Sequence, residues 1–226
     1  MRQITVVEDP GAAVAERLTA AAVQGVHIVL TGGSTPRGAY AIAASEDADW
    51  SDATVWFSDE RCVPPDHPDS NFAMAQRALL SQLSKPPRVM RIEGELGHEV
   101  AAGAYEALLR EHLGNDPRFD LVLLGMGPDA HVASLFPGKP ELEETARLVV
   151  GVPIAGLEPQ VPRVTLTLPV LNRARVVDFL VAGGDKAQAI GRAFGDPPDP
   201  DAPAARVRPE QGSIFVFVDE AAAANL

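Results

Sequence analysis

Four apolar runs in this chain each stop abruptly at small or polar residues, and this repeated ending constrains the fold more than any other feature. Val26-His27-Ile28-Val29-Leu30 runs into Thr31-Gly32-Gly33-Ser34-Thr35-Pro36, and Thr54-Val55-Trp56-Phe57 into Ser58-Asp59-Glu60-Arg61. Asp120-Leu121-Val122-Leu123-Leu124 runs into Gly125-Met126-Gly127-Pro128-Asp129-Ala130-His131, and Val177-Asp178-Phe179-Leu180-Val181-Ala182 into Gly183-Gly184-Asp185-Lys186. In an open parallel sheet the ends of neighbouring strands lie side by side, so polar residues just past each strand converge although they are far apart in sequence. Four such ends imply one shared pocket.

Between these runs the pattern changes period. Residues 2 to 7 read as a strand, and Pro10 to Gln24 as a helix with apolar positions at Val14, Leu18, Ala21 and Ala22. Pro36 sits at a first-turn position, where its missing N–H costs nothing, and opens a helix to about Ser45. Further helices are expected over Asn71 to Leu83, Gly97 to Leu113 (apolar face Val100, Ala104, Leu108, Leu109) and 185 to 194, with a short Ala-rich one at the end. Val89 to Ile92 reads as a short strand and 213 to 218 as the last one. Arg147 to Val152 and Arg163 to Leu168 also read as strands, forming either an antiparallel part of the sheet or a small appended layer. Residues 195 to 203 are rich in Pro and Asp and read as an extended loop. The expectation is a single domain over residues 1–226, a three-layer α/β/α Rossmann-like fold with a mostly parallel sheet and a small additional β portion.

Composition narrows the partners. A hydrophobic fraction of 46% supports a sizeable core, and the 5% aromatic content leaves Ala, Val and Leu to fill it. The net charge of −12, with no Lys/Arg run, argues against nucleic acid. A small anionic ligand must then be held by a few local donors, with Ser34, Thr35, Arg61, Arg163 and Lys186 as candidates. The single Cys62 excludes an intrachain disulfide and a Cys-based zinc cluster and points to a reducing compartment. The N-terminus does not read as a signal peptide, and no run approaches the roughly 18 apolar residues of a spanning helix. A cytoplasmic protein that is a monomer or a weak homodimer, with no membrane partner, is expected.

Each candidate group has a plainer reading. Gly32-Gly33-Ser34-Thr35-Pro36 is either a phosphate cradle at a helix N-terminus or an ordinary turn with Ser34 or Thr35 as N-cap. It is neither a Walker loop nor a G-x-G-x-x-G turn, so nucleoside triphosphates and nicotinamide cofactors are unsupported. His131, just beyond a buried strand, is a candidate general base; Asp129 either orients it or caps a short helix starting near Val132. Asp59-Glu60-Arg61 is a third polar end, in which the Arg61 fork suits a phosphate or an oxyanion unless the cluster is a surface salt bridge. Lys186 opens a helix and could meet a phosphate as a point charge, or could simply be solvated. His27, His67, His98 and His112 are assigned to structure or surface, and no metal-ligand set emerges.

Taken with Asp69-Ser70-Asn71-Phe72, Arg163-Val164-Thr165-Leu166-Thr167 and Ser134-Leu135-Phe136-Pro137-Gly138, these segments resemble the glucosamine-6-phosphate isomerase/6-phosphogluconolactonase family over nearly the whole length, and its lactonase branch most closely. The resemblance implies a cofactor-free hydrolase that opens a sugar-phosphate lactone in the oxidative pentose phosphate pathway. It implies His131 as the base, Gly33, Ser34, Thr35, Arg163 and Lys186 around the sugar phosphate, and Asp59 and Arg61 at the lactone end. The deaminase branch typically continues into an Asn-Glu-Pro-Gly segment, and its Glu has no counterpart in Ser134-Leu135-Phe136-Pro137-Gly138. A non-catalytic sugar-phosphate sensor could dispense with the base, whereas Asp129 and His131 are both retained. One departure stands out: the family usually has Gly where this chain has Ala130, and a positive φ there would strain the backbone.

Overall fold

The computed structural model describes residues 1–226. A seven-stranded sheet carries β1 (Arg2–Val6), β2 (His27–Leu30), β3 (Thr54–Phe57), β5 (Arg88–Val89), β6 (Leu121–Leu124), β9 (Val176–Val181) and β10 (Ser213–Val218). The spatial order is β1-β10-β9-β6-β2-β3-β5, and every neighbouring pair is parallel. The central strands β2, β3 and β6 are almost wholly buried, which is why they read as continuous apolar runs rather than alternating ones. A second sheet is antiparallel, in the order β4 (Asp59–Arg61), β8 (Arg163–Leu166), β7 (Val149–Val152). This is the small additional β portion, a separate layer rather than an extension of the main sheet.

The chain runs outward in two directions from the middle of the main sheet. From β2 it proceeds to β3 and β5; from β6 it proceeds the other way to β9 and β10. Right-handed crossovers therefore place α1 (Pro10–Val23), α2 (Ser34–Ser45) and α3 (Asn71–Ala75) on one face. There α1 packs along α2, and α2 along α3. The return connections place α4 (His98–Leu113) and α6 (Ala187–Phe194) on the other face, with α4 packed on the small sheet. The short α5 (Leu168–Leu171) follows β8 directly. One continuous apolar core reaches from Val14 to Ala222, with Trp50, Trp56, Tyr40 and Tyr105 among its largest buried side chains.

Several element boundaries differ from expectation. The helix α2 begins at Ser34, so Pro36 is its third residue, still within the turn where no N–H is needed. The Asn71 helix is short and passes into a π-helical segment over Gln76–Leu80. The buried face of α4 is Ala101, Ala102, Tyr105 and Leu109; Val100 is 63% exposed and Ala104 is also outside. Alanine is apolar on either face of this helix and gives no preference, whereas the core takes in its one large ring, Tyr105. No helix starts near Val132, where a tight turn closed by a Val132–Leu135 bridge is found instead.

Candidate active site

Strand order reverses between β2 and β6, and in open parallel sheets this reversal opens a crevice beyond the carboxyl ends of the two strands. A cleft of about 240 Å³ lies there. Its walls come from Thr31 to Pro36 after β2, Asp59 and Arg61 of β4, Asn71 of α3, Gly125 to Pro128 and His131 after β6, Arg163 of β8, Leu180 to Ala182 at the end of β9, and Lys186 beyond it. All four polar strand ends expected to converge therefore do so.

His131 reaches the cleft from the turn after β6. Its Nδ1 lies 2.6 Å from Asp129 Oδ1, and the same oxygen accepts the His131 backbone N–H at 3.1 Å. The carboxylate thus holds the ring from behind, off the cleft wall, and leaves Nε2 as the nitrogen without a partner in the protein. The Phe136 ring packs at 4.6 Å between centroids and limits the imidazole on one face. Burial acts to raise the Asp129 pKa, but the hydrogen bonds and charge of His131 outweigh it and hold the carboxyl below its ordinary range. The helix-capping alternative for Asp129 is not what the structure has.

This turn has unusual backbone demands. Ala130 adopts φ 68° and is fully buried, so the strain inferred from the missing Gly is present. Gly127 packs directly against the pair: a Cβ there would overlap the His131 ring and approach Asp129 Oδ1 to 2.7 Å. Its N–H donates to the His131 carbonyl at 3.0 Å, closing the turn.

Asp59 and Glu60 face different partners. Asp59 is 4% exposed and accepts from Ser58 Oγ at 3.0 Å, Asn71 Nδ2 at 3.2 Å and Ser134 Oγ at 2.7 Å. Both oxygens of this carboxylate are thus held in place by hydrogen bonds. Glu60 is a structural acid: it accepts the backbone N–H groups of Arg61, Asn71 and Phe72 and the Ser70 hydroxyl, fastening the start of α3 to β4. Burial pushes its carboxyl up despite these bonds. Asn71, Ser58 and Ser134 were not singled out as individual site residues from sequence, because isolated Ser and Asn carry no periodic signal.

The cations are arranged for an anion. Arg61 and Arg163 are directly opposed across the antiparallel β4–β8 pair. Like charges in that position destabilise a sheet, an arrangement proteins retain at functional sites. Arg61 donates to the Asp69 carbonyl, and Arg163 to the carbonyls of Leu157 and Pro159, while the Nε of each is buried with no partner. Burial pulls the Arg163 guanidinium below its ordinary value, against the attraction of Asp59 and with the repulsion of Arg61. Lys186 lines the same cleft, its Nζ 3.1 Å from Asp185. Asp219 takes the Gly183 N–H at 2.9 Å and so fixes the turn that presents Lys186.

On the other wall, Gly33 has φ 117° and precedes the first turn of α2. Neither Ser34 nor Thr35 caps the helix, so both backbone N–H groups and both hydroxyls are left for a ligand. The Asn71 amide packs against Gly32, where it excludes any Cβ.

Known proteins share this architecture. The sequence pattern of the family described as glucosamine-6-phosphate isomerases/6-phosphogluconolactonase matches residues 4–216. The chain is 39% identical to a 6-phosphogluconolactonase of Synechocystis over 205 residues, covering 88% of this chain and 84% of the relative. It is 42% identical to the human 6-phosphogluconolactonase over 186 residues, covering 81% and 72%. The solved structure of 6-phosphogluconolactonase from Trypanosoma cruzi superposes with a TM-score of 0.88 at 28% identity, covering 100% of this chain and 97% of that one. With a family pattern spanning nearly all of it and relatives at about 40% identity over most of its length, this chain belongs to the glucosamine-6-phosphate isomerase/6-phosphogluconolactonase family.

Proposed function

We propose that this protein hydrolyses 6-phospho-D-glucono-1,5-lactone to 6-phospho-D-gluconate in the oxidative pentose phosphate pathway, with water activated by His131. The observation that carries the reading is the 2.6 Å Asp129–His131 contact at the edge of a cleft that also holds Arg61, Arg163 and Lys186. Relatives named 6-phosphogluconolactonase, alike over most of the chain, support the same substrate.

A δ-lactone is an activated ester, so a base for water and donors for the developing oxyanion are sufficient chemistry. Asp129 accepts Nδ1–H, which leaves the Nε2 lone pair to take a proton as the water oxygen bonds to the lactone carbonyl carbon. The tetrahedral oxyanion forms near Arg61. Collapse breaks the bond from carbon to the ring oxygen, and the imidazolium returns its proton to that oxygen. Asp59, fixed by its three hydrogen bonds, compensates the paired arginines while the cleft is empty.

The phosphate is gripped by the turn at Gly33, Ser34 and Thr35, by Arg163 and by Lys186, and so holds the carbonyl against the water. A remote anchor of this kind serves binding more than chemistry. Lys186→Ala is therefore expected to raise KM about tenfold and to lower kcat less than threefold. The opposite split would move Lys186 into the chemistry. Gluconolactone lacking phosphate should be a poor substrate under the same assay. Release of ammonia from glucosamine 6-phosphate, with no acceleration of lactone hydrolysis, would replace this reading by that of a deaminase.

A further inference from the structure

The turn that carries Asp129 and His131 is held from outside the cleft by the segment that follows α6. The carbonyl of Ala130 accepts the Ala204 N–H at 3.0 Å, and the carbonyl of Asp129 faces Arg192 Nη1 at 3.4 Å. Arg192 is itself fixed, its Nε donating to Asp199 Oδ2 at 2.7 Å. Asp199 in turn anchors the loop: its N–H donates to the Arg192 carbonyl at 2.7 Å, and its other carboxylate oxygen accepts the Asp201 N–H at 2.9 Å. The Pro- and Asp-rich stretch 195–203 thus has a defined shape, running from the end of α6 to Ala204.

The need for such a brace lies in the turn itself. Ala130 occupies the left-handed region, which a non-glycine residue leaves unless its surroundings hold it there. The Gly127 carbonyl accepts the Ala130 N–H, so that N–H is bound within the turn, while the two carbonyls flanking the strained residue are bound by the Arg192–Ala204 segment. Rotation of the Asp129 or Ala130 peptide would carry Asp129 Oδ1 away from His131 Nδ1, because that carboxylate also receives the His131 backbone N–H.

We propose that Arg192, anchored by Asp199, is a positioning residue for the Asp129–His131 pair: it keeps the strained turn in the conformation that orients the imidazole. The assignment rests on the lactonase reading for its kinetic consequence, but its structural consequence is independent of substrate. The side chain of Arg192 hydrogen-bonds to Asp199 and Asp129 and to no residue of the phosphate grip, so its effect falls on kcat and not on KM.

The test uses the full-length protein with Arg192→Ala, Arg192→Lys and Asp199→Asn. Steady-state hydrolysis of the lactone is measured with each, and the His131 imidazole is followed by nitrogen-15 NMR. Arg192→Ala is expected to lower kcat about tenfold, to leave KM within twofold, and to shift the His131 Nδ1 resonance as its bond to Asp129 loosens. Arg192→Lys, a point donor that cannot span both partners, should recover only part of the loss. If Arg192→Ala fails to fold, Asp199→Asn carries the same readouts with the arginine retained. A variant with wild-type kcat and an unmoved His131 resonance, whatever its melting temperature, would overturn the proposal. If no protein, wild type included, hydrolyses the lactone, the substrate reading fails, and the NMR shift alone decides for or against the brace.

Discussion

Ala130 and Gly127 both lie in the turn that carries Asp129 and His131, and each limits it in a different way. At φ 68° an alanine costs about 1 kcal/mol or more relative to the right-handed region. A glycine there would relieve this cost but would give up about 0.5–1 kcal/mol of chain entropy and a buried methyl. Ala130→Gly is therefore expected to leave melting temperature and kcat almost unchanged. Gly127→Ala meets a different limit, since its new methyl would overlap the imidazole. A ring displaced by about 1 Å is expected to lower kcat on the order of a hundredfold. A Gly127→Ala protein of normal activity would contradict the position assigned to His131.

The residues of the candidate site divide by whether their type carries a signal. His131, Asp129, Asp59, Arg61, Arg163 and Lys186 were legible because they stand just past strands or at strand starts and because of the resemblance they share with a family. Ser134 and Asp219 were not, since a serine after a tight turn and an aspartate near the chain end resemble any surface residue. Only the folded chain brings Ser134 to Asp59 and Asp219 to Gly183.

Elements show where periodicity succeeds and where it fails. The central parallel strands were readable because burial on both faces leaves no alternation to confuse. On α4, Leu109 is buried and Leu108 packs against the core as expected, while Val100 and Ala104 lie outside, because small residues flank Tyr105 and the tyrosine hydroxyl, accepting the Phe57 N–H at 2.9 Å, settles the orientation. The buried Asp178 in β9 breaks the apolar run for a reason visible only across elements: Arg17 of α1 reaches it with two hydrogen bonds and lies over the Phe215 ring at 4.4 Å. Arg61 and Arg163 likewise become a pair only through the β4–β8 register.

The join of β2 and β3 carries a pH-dependent contact. Trp56 Nε1 donates to His27 Nδ1 at 3.1 Å, and burial, reinforced by His112 and opposed by Asp120, lowers the His27 pKa from its ordinary 6.5. A proton on His27 is thus taken up more readily by the unfolded chain than by the folded one. This contribution to stability is complete above pH 6.5 and declines as pH falls below it. Melting curves between about pH 7.5 and 5.5 should show a smaller acid-side loss for His27→Gln, which keeps an acceptor without titrating, than for wild type. Equal losses would remove His27 from the account.

Across the whole molecule, topology makes the site. Groups from β4, β8 and the ends of β2, β6 and β9 meet at the strand-order reversal, although they span Thr31 to Lys186 in sequence. A chain of net charge −12 gathers Arg61, Arg163 and Lys186 into one cleft, so attraction for an anion is local and the remainder of the surface is acidic. Four strand ends indicated this convergence from sequence, and the family resemblance indicated its use. Two strands of the small antiparallel sheet were legible, as an antiparallel part of the main sheet or a small appended layer, whereas β4 was not, because it is three residues long and reads as the tail of β3.

In the proposed mechanism His131, held by Asp129, activates water for attack on a phosphorylated sugar lactone. This mechanism is tested most directly by generating 6-phosphogluconolactone in situ from glucose 6-phosphate and following its hydrolysis above the spontaneous rate with wild-type and folded His131→Ala protein. Rapid hydrolysis by wild type and a loss of at least about a hundredfold in the variant are expected. A His131→Ala protein that hydrolyses the lactone at the wild-type rate would contradict the mechanism.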